Sequence, residues 1–324
     1  MSNKDTLAKK YMRDPRKFAD FFNGIMYGGE KRIDWKELRE LDSSSVVTIP
    51  NLKGTKSVSI QRIRDIIKST VVMQSDSKYY LLLGIENQSD IHYAMPVRTM
   101  LYNALTYAEQ VDTITKKNRE SNVLNSQTFL SGLSEADKLK PVVTVTLYWG
   151  SEHWDAPVTL KEMLAEMDEQ TSALVDDCNI NLFSIIDQVD MPEFSTELRE
   201  LFSLLNSRGN GRKMNDVVNS DSAYENMDKD TAEMISTFAS IKLPRKNKEG
   251  GYNMCKAVVE IKEEGIKEGI KEGIKEGIKE GIKEGVLDTL ISLVKDGLLD
   301  INEAAKRANI SVEKFKKEIE KTEQ

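Results

Sequence analysis

Cysteine and histidine are scarce in this chain of 324 residues, which contains two of each. Cys178 and Cys255 have no paired spacing and no neighbouring histidine, which argues against a disulfide framework or a thiolate zinc site. We expect two buried free thiols in a reducing cytoplasm. His92 and His153 leave a Ser-His-Asp site open, but the sequence contains no Gly-x-Ser-x-Gly elbow to support one.

The sequence also lacks long apolar runs, positive net charge and glycine-rich nucleotide motifs. No apolar run approaches the roughly 20 residues of a membrane span, so we expect a soluble, cytoplasmic protein with no membrane partner. The net charge of −7 provides no global field that attracts nucleic acid. Any contact with DNA must therefore use a local basic patch. The candidate patch consists of Arg208, Arg212 and Lys213.

Three regions are predicted from the composition along the chain. The apolar content is 39%, with nine Phe and ten Tyr, which supplies a core for a substantial domain at residues 1–243. Apolar content drops and chain breakers cluster between Leu243 and Gly251, which marks the boundary. A linker with a repeat helix follows at 244–285, and a small helical tail follows at 286–324.

A predicted hairpin at residues 64–89 is the feature with most chemical interest. Two apolar and β-branched runs flank the polar break 75–78. If Ser75 and Asp76 alone form the loop, Asp65 lies opposite Glu86; if all four break residues form it, Asp65 faces Gln88. Directly opposed side chains lie about 5 Å apart at Cβ, and alternation puts Glu86 and Gln88 on one face. Either register gathers three oxygen-bearing side chains, which predicts a divalent-metal site.

The elements around the hairpin predict an α/β fold. A helix at about 5–28 is interrupted at Asp14–Pro15, and Met95–Pro96 opens another helix that runs to about Lys117. These elements alternate with strands, which is typical of a mixed sheet covered by helices. The remaining predictions are strands at 46–49, 141–149 and 180–189, a loop region at 118–138, an amphipathic helix at 159–173, and helices at 194–206 and 231–241.

A tetrapeptide, Gly-Ile-Lys-Glu, occurs five times between Gly265 and Glu284. Four residues advance an α-helix by about 400°, so the isoleucines drift by about 40° per repeat. The interior glycines weaken the helix by roughly 1 kcal/mol each. Two interpretations stay open: a solvated spacer helix, or self-association through the C-terminal helices.

The tail is predicted to be helix-turn-helix-like. An apolar stripe on the first helix ends before Gly297, Asp300 or Asn302 caps the next helix, and Ser311 caps the last. Lysines and glutamates are interleaved on these helices. Both DNA binding and protein contact therefore remain open for the tail.

The hairpin, the segment Glu86–Ser89, and the following Met95–Arg98 with Leu101–Tyr102 resemble the recombination-promoting nuclease and transposase family of the PD-(D/E)xK superfamily. The resemblance covers roughly residues 1–240. It implies a restriction-endonuclease-like mixed sheet flanked by helices, followed by a helical repeat spacer and a small helical tail. It also implies an endonuclease linked to recombination or transposition-like events.

By that resemblance, Asp65 and Glu86 are the metal ligands, and Gln88 takes the position where the superfamily usually has Lys. The implied cofactor is Mg²⁺, with Mn²⁺ as a substitute, and the implied partner is DNA. Gln88 can orient a water by hydrogen bonding, but it is no base at neutral pH. The alternative is therefore a weak or inactive nuclease-fold protein that binds DNA or another partner.

Other positions are secondary candidates. Arg64 stands where the motif has its Pro. Arg98 and Tyr102, one turn apart near the start of the next helix, are candidate phosphate contacts. His92 follows Gln88 by four residues and either lines the site or lies on a surface loop.

Overall fold

The structure is a computed structural model that describes residues 3–41, 44–49, 58–63, 65–74, 77–122, 128 and 130–321. The chain divides into two units, Met1–Val258 and Val259–Gln324. The hairpin predicted from the sequence lies in the first unit. Arg64 and the loop residues Ser75 and Asp76 lie outside the described residues.

The helices are α1 (Asn3–Met12), α2 (Pro15–Tyr27), α3 (Met95–Glu120), α4 (Glu169–Leu174), α5 (Leu198–Ser207), α6 (Gly211–Ser220), α7 (Lys229–Phe238), α8 (Met254–Lys295), α9 (Ile301–Arg307) and α10 (Val312–Lys321). The strands are β1 (Arg39–Glu40), β2 (Ser44–Ile49), β3 (Val58–Ile63), β4 (Ile66–Gln74), β5 (Ser77–Gln88), β6 (Val142–Tyr148) and β7 (Asn181–Ser184).

Five strands form a mixed sheet in the order β1-β4-β5-β6-β7. The pairs β1–β4 and β4–β5 are antiparallel, whereas β5–β6 and β6–β7 are parallel. Parallel neighbours need a crossover connection, and α3 supplies it between β5 and β6. β2 and β3 form a separate antiparallel pair. The predicted mixed α/β sheet flanked by helices is confirmed.

The register of the hairpin follows the shorter of the two predicted loops. Ile66 pairs with Ile85, and Gln74 pairs with Ser77. Extending this register by one residue puts Asp65 opposite Glu86. The alternative with a four-residue loop is therefore wrong.

One face of β5 packs on the main core, and the other faces α3. Leu81, Leu83 and Ile85 are buried with the aromatic side chains of α2 and α5. Their alternating neighbours, including Glu86 and Gln88, point to the opposite face, as the period of two requires. The core also contains a cluster of aromatic rings that contact one another within α2 and between other segments: Phe18, Phe21, Phe22, Trp149, Phe183, Phe194 and Phe202.

The break between the first two helices is confirmed. α1 ends at Met12, and the Asp14 side chain accepts a hydrogen bond from the Arg16 N–H at the start of α2. Pro15 occupies the first helical turn, where its missing N–H is not needed. Gly28 ends α2 with φ 59°, a left-handed conformation that favours glycine.

The predicted amphipathic helix at 159–173 is wrong. A single 3₁₀ turn at Lys161–Met163 and the short α4 replace it. The Glu162 carboxylate accepts hydrogen bonds from the Val158 and Thr159 N–H groups, and Asp168 caps α4 by accepting from Thr171 N–H. These local side-chain bonds compete with a continuous helix.

Two other boundaries differ from the predictions. The strand predicted at 180–189 is only the four-residue β7, and the stretch between the predicted helices at 194–206 and 231–241 contains α6, which Asn210 caps. Cys178 and Cys255 are free thiols, as expected, but both are partly exposed and not fully buried. None of the described helices has the length and apolar character that a membrane span requires.

The unit Val259–Gln324 has its own small core. Leu290 and Ile291 of α8 pack with Ala304, Ala305 and Phe315 of the last two helices. Gly297, with φ 71°, follows the end of α8, and Asp300 caps α9 by accepting from the Asn302 N–H. Ser311 accepts from the Lys314 N–H at the start of α10, as predicted.

Candidate functional site

A cleft of about 300 Å³ opens at the end of β5, where the parallel part of the sheet begins. It lies between the N-terminus of α3, the end of the hairpin and α1. Its lining residues are predominantly polar: Asp5, Asp65, Asn87, Gln88, Ser89, Asp90, Ile91, His92 and Arg98. Two of the three residues predicted as the metal site, Asp65 and Gln88, line this cleft.

Asp65 is buried immediately before β4. Its Oδ2 accepts a hydrogen bond of 2.9 Å from the Asn87 backbone N–H, which fixes the carboxylate against the end of β5. Burial raises the pKa of Asp65 above its usual value, although the Asn87 N–H and the charges of Lys9 and Arg98 oppose this. The buried carboxylate is thus an electrostatically costly group at the mouth of a polar cleft.

Glu86 is fully buried on β5, on the face that looks toward α3. Arg98, in the first turns of α3, donates from Nη2 to Glu86 Oε2 at 3.3 Å and from Nε to the Tyr102 hydroxyl at 3.2 Å. Burial lowers the pKa of Arg98, but the Glu86 charge and Tyr102 outweigh it, so the net shift is upward. The fold brings together Glu86, Arg98 and Tyr102.

The end of β5, next to the two acids, is held in place by hydrogen bonds to the buried Trp149. The Asn87 side chain turns to the opposite face, where its Oδ1 accepts from the Trp149 indole N–H at 3.0 Å. The Trp149 backbone N–H in turn donates to the Gln88 carbonyl at 2.8 Å. His92 also lines the cleft, with its Nδ1 accepting from the Ala94 N–H.

Two residues of α1, one lining the cleft and one next to Asp65, were missed by sequence reasoning. Asp5 lines the cleft, and Lys9 Nζ lies 3.9 Å from Asp65 Oδ1. Their spacing of four puts them on one helix face, but nothing in the sequence relates that face to a hairpin more than fifty residues away. Their placement depends on how α1 packs against the sheet.

The predicted basic patch does not form one surface. The Arg208 side chain is buried, and its guanidinium donates to the backbone carbonyls of Trp149, Gly150 and Phe238. Burial lowers the pKa of Arg208 to about 10. Arg208 thus ties the segment after β6 to the last residue of α7, whereas Arg212 and Lys213 are exposed on the first turn of α6.

Asp65 lines the cleft and Glu86 is buried beside it, and both offer the carboxylate oxygens that a hard divalent cation takes as ligands. Among the described residues, no group of three or more His, Cys, Asp and Glu side chains converges as a metal cage. Mg²⁺ does not need one, because it typically takes one or two carboxylates and completes its shell with water and phosphate oxygens. Asp65 and Glu86 are oxygen donors whose burial penalises their negative charge, and a bound cation would offset that penalty.

No protein-family model, curated protein or solved structure matches this chain. The function therefore has to be inferred from the cleft itself and from the residues that carry the resemblance described above.

Proposed function

We propose that the chain is a Mg²⁺-dependent DNA endonuclease with a restriction-endonuclease-like core, of the recombination-promoting nuclease type that its hairpin resembles. The observation that carries the proposal is the hairpin register, which extends to put Asp65 opposite Glu86 at the edge of a polar cleft. The mixed sheet with α3 as its crossover supports the same fold family. By the same resemblance, the activity is linked to recombination or transposition-like events.

Asp65 and Glu86 are the proposed ligands. When bound there, Mg²⁺, or Mn²⁺ in its place, lowers the pKa of a water and stabilises charge on a phosphodiester. Arg98 reaches the cleft from α3 and supplies a fixed cation for a phosphate oxygen, with Tyr102 holding its Nε. Gln88 orients the attacking water through its amide.

A second candidate is a nuclease-fold protein that binds DNA without efficient cleavage. Both acids already have a cation close by, since Lys9 lies 3.9 Å from Asp65 and Arg98 lies 3.3 Å from Glu86. Gln88 carries no charge where the superfamily usually has Lys. A site neutralised in this way favours binding of the DNA backbone over hydrolysis.

Nicking of supercoiled plasmid separates the two candidates. The wild-type protein with Mg²⁺ is expected to nick, and the near-isosteric Asp65→Asn and Glu86→Gln variants are expected to lose at least about 100-fold of that rate. Asp90→Asn is the matched control, because Asp90 lines the same cleft but is exposed and lies beyond the strand. Equal nicking by all four proteins would contradict the assignment of the site.

Thermal unfolding with and without Mg²⁺ tests the metal site without relying on activity. A ligand that binds only the native state stabilises it by RT ln(1 + [L]/Kd). The melting temperature of the wild type is expected to rise with Mg²⁺, and that of Asp65→Asn to respond less. A rise with DNA alone, unaltered by Mg²⁺, together with absence of nicking, supports the second candidate.

A further inference from the structure

The repeat helix carries an apolar ridge that nothing covers in the described part of the chain. Five isoleucines of α8, spaced four residues apart, are each 53–62% exposed. We call this row the Ile ridge; it comprises Ile266, Ile270, Ile274, Ile278 and Ile282. Exposed apolar side chains that adjoin one another mark interaction surfaces, whereas isolated ones are ordinary.

A groove of glycines runs beside the Ile ridge. Apart from the nearby backbone of α8 itself, a Cβ atom placed on any of these glycines meets no atom within 4 Å, so the surface there is open to a neighbour. We call this row the Gly groove; it comprises Gly265, Gly269, Gly273, Gly277, Gly281 and Gly285. Ridge and groove are both i±4n rows, separated by about 100° around the helix axis.

Two such helices can interlock. When i±4n ridges of two helices interdigitate, the axes cross at about −50°. Small residues spaced by four allow the backbones to approach closely in the same right-handed sense. The Ile ridge of one helix therefore fits the Gly groove of a second helix with the same repeat, and the reverse contact follows from twofold symmetry.

The lysines and glutamates of the repeat form two further rows, and these rows determine whether a second helix packs in parallel or antiparallel orientation. Around the axis, the Lys row borders the Ile ridge and the Glu row borders the Gly groove, as the order Gly-Ile-Lys-Glu dictates. In a parallel pair related by a twofold axis, the Ile and Lys side of one helix meets the Gly and Glu side of the other. Ile therefore faces Gly, and Lys faces Glu. In an antiparallel pair, the same side of each helix meets its own copy. Glu then faces Glu and Lys faces Lys, and like charges repel.

We propose that a second copy of this chain covers the Ile ridge, in parallel orientation, with the ridge of each copy in the Gly groove of the other. The proposal does not depend on the endonuclease function. It makes the repeat a device for self-association, in which the glycines that weaken an isolated helix provide the close approach.

Light scattering coupled to size exclusion tests the pairing in the full chain. The wild type is expected to show twice the 36.7 kDa chain mass at high concentration. The variant Ile270→Gln/Ile274→Gln/Ile278→Gln keeps helix propensity, and it is expected to weaken the dimer by at least about 10-fold in Kd. A monomeric wild type, or an unchanged dimer in this variant, overturns the proposal.

The variant Gly269→Ala/Gly273→Ala/Gly277→Ala makes the sharper test, because it strengthens the helix while it fills the groove. Each change favours helix by roughly 1 kcal/mol. If the Ile ridge packs into the Gly groove, association weakens although circular dichroism shows equal or greater helicity. Association that is unchanged or stronger overturns the ridge-in-groove contact.

Spin labels measure the orientation. A label is placed at Lys262→Cys with Cys178→Ser and Cys255→Ser. Residue 262 lies twelve residues before Ile274, roughly 18 Å along the helix. For copies that cross near Ile274, labels in a parallel pair lie on the order of 20 Å apart, and in an antiparallel pair on the order of 35 Å apart. The shorter distance supports the proposal and the longer one overturns it.

Discussion

At the scale of single residues, each of the two buried acids at the cleft lies close to one basic side chain. Each acid has a cation from a different helix, Lys9 of α1 beside Asp65 and Arg98 of α3 beside Glu86. Both cations are largely withdrawn from solvent, with 16% and 30% of their side chains exposed. Screening is therefore weaker than at the surface, and each charge matters to whatever binds in the cleft.

One prediction rests on the proposed endonuclease function: Lys9, 3.9 Å from Asp65, is expected to supply the ammonium that Gln88 lacks. Lys9→Gln is expected to lower the nicking rate roughly 100-fold, because one fixed charge near the developing phosphate charge is lost. Lys10→Gln is the matched neighbour, since Lys10 is exposed and pairs with Asp230. Plasmid nicking under single-turnover conditions measures both; equal loss in the two variants would argue for a structural effect of α1.

A hydrogen-bonded group of side chains around Asp187 does not line the cleft. Asp187 follows β7 and accepts from the His153 ring, the Ser184 hydroxyl and the Trp154 N–H. The hydrogen bond to Asp187 and its charge raise the pKa of His153. Burial raises the pKa of Asp187, but these hydrogen bonds outweigh it and lower the net value.

The His153–Asp187 pair predicts a pH-dependent part of the stability. A raised folded pKa means that the stabilisation is fully present below the unfolded value of 6.5 and is lost as pH rises through the folded value. At pH 5.5, where Asp187 is still ionised, the melting temperature of the wild type should therefore exceed that of His153→Gln. This difference in melting temperature should shrink by pH 9. A gap that stays constant across this range would mean that protonated His153 contributes nothing.

At the scale of elements, local signals predicted the hairpin well. The polar break and the alternating strands define β4 and β5, and Pro96 marks the first turn of α3. The register remained open from sequence, since it depends on which break residues pair. The opposition of Asp65 and Glu86 was thus one of two registers that the sequence allowed, whereas the position of Lys9 depends on tertiary packing that leaves no local pattern.

The segment 159–173 shows why other elements were missed. Its apolar spacing favours a helix, but the Glu162 side chain accepts from the Val158 and Thr159 N–H groups, and the extended backbone at Asp168 starts a separate helix, α4. Thr159 also pairs with Asn179 in an isolated bridge. A helical pattern is a weak prior when side chains near its ends offer the backbone other partners.

Gly24 in α2 is required by packing. A Cβ there would lie 2.5 Å from Cε1 of Phe194 and 3.0 Å from the Glu193 carbonyl oxygen. Gly24→Ala is therefore expected to destabilise the first unit by about 1–3 kcal/mol, although Ala favours helix. Gly211→Ala, at the open start of α6, is the control and should be neutral or slightly stabilising. Urea unfolding compares them, and a stabilised Gly24→Ala would show that the Phe194 ring moves away at little cost.

At the scale of the whole molecule, two separate cores stabilise the two units. The first includes the sheet and extends to Val258, and the second consists of the end of α8 with α9 and α10. The repeat between them buries little: its isoleucines are exposed, and a Cβ atom added to any of its glycines would meet no atom outside the nearby backbone of α8. Cooperative unfolding needs shared buried contacts, so the two cores are expected to unfold in separate transitions.

Phe315→Ala tests this independence. Phe315 is fully buried in the small core, and its truncation is expected to remove roughly 3–5 kcal/mol there, enough to abolish that transition. Phe202→Ala is the mirror control, because Phe202 is fully buried among the aromatic rings of the first unit. Scanning calorimetry of the full chain should show each variant losing or lowering only its own transition. A single transition that shifts in both variants would mean that the repeat helix couples the two cores despite its exposed surface.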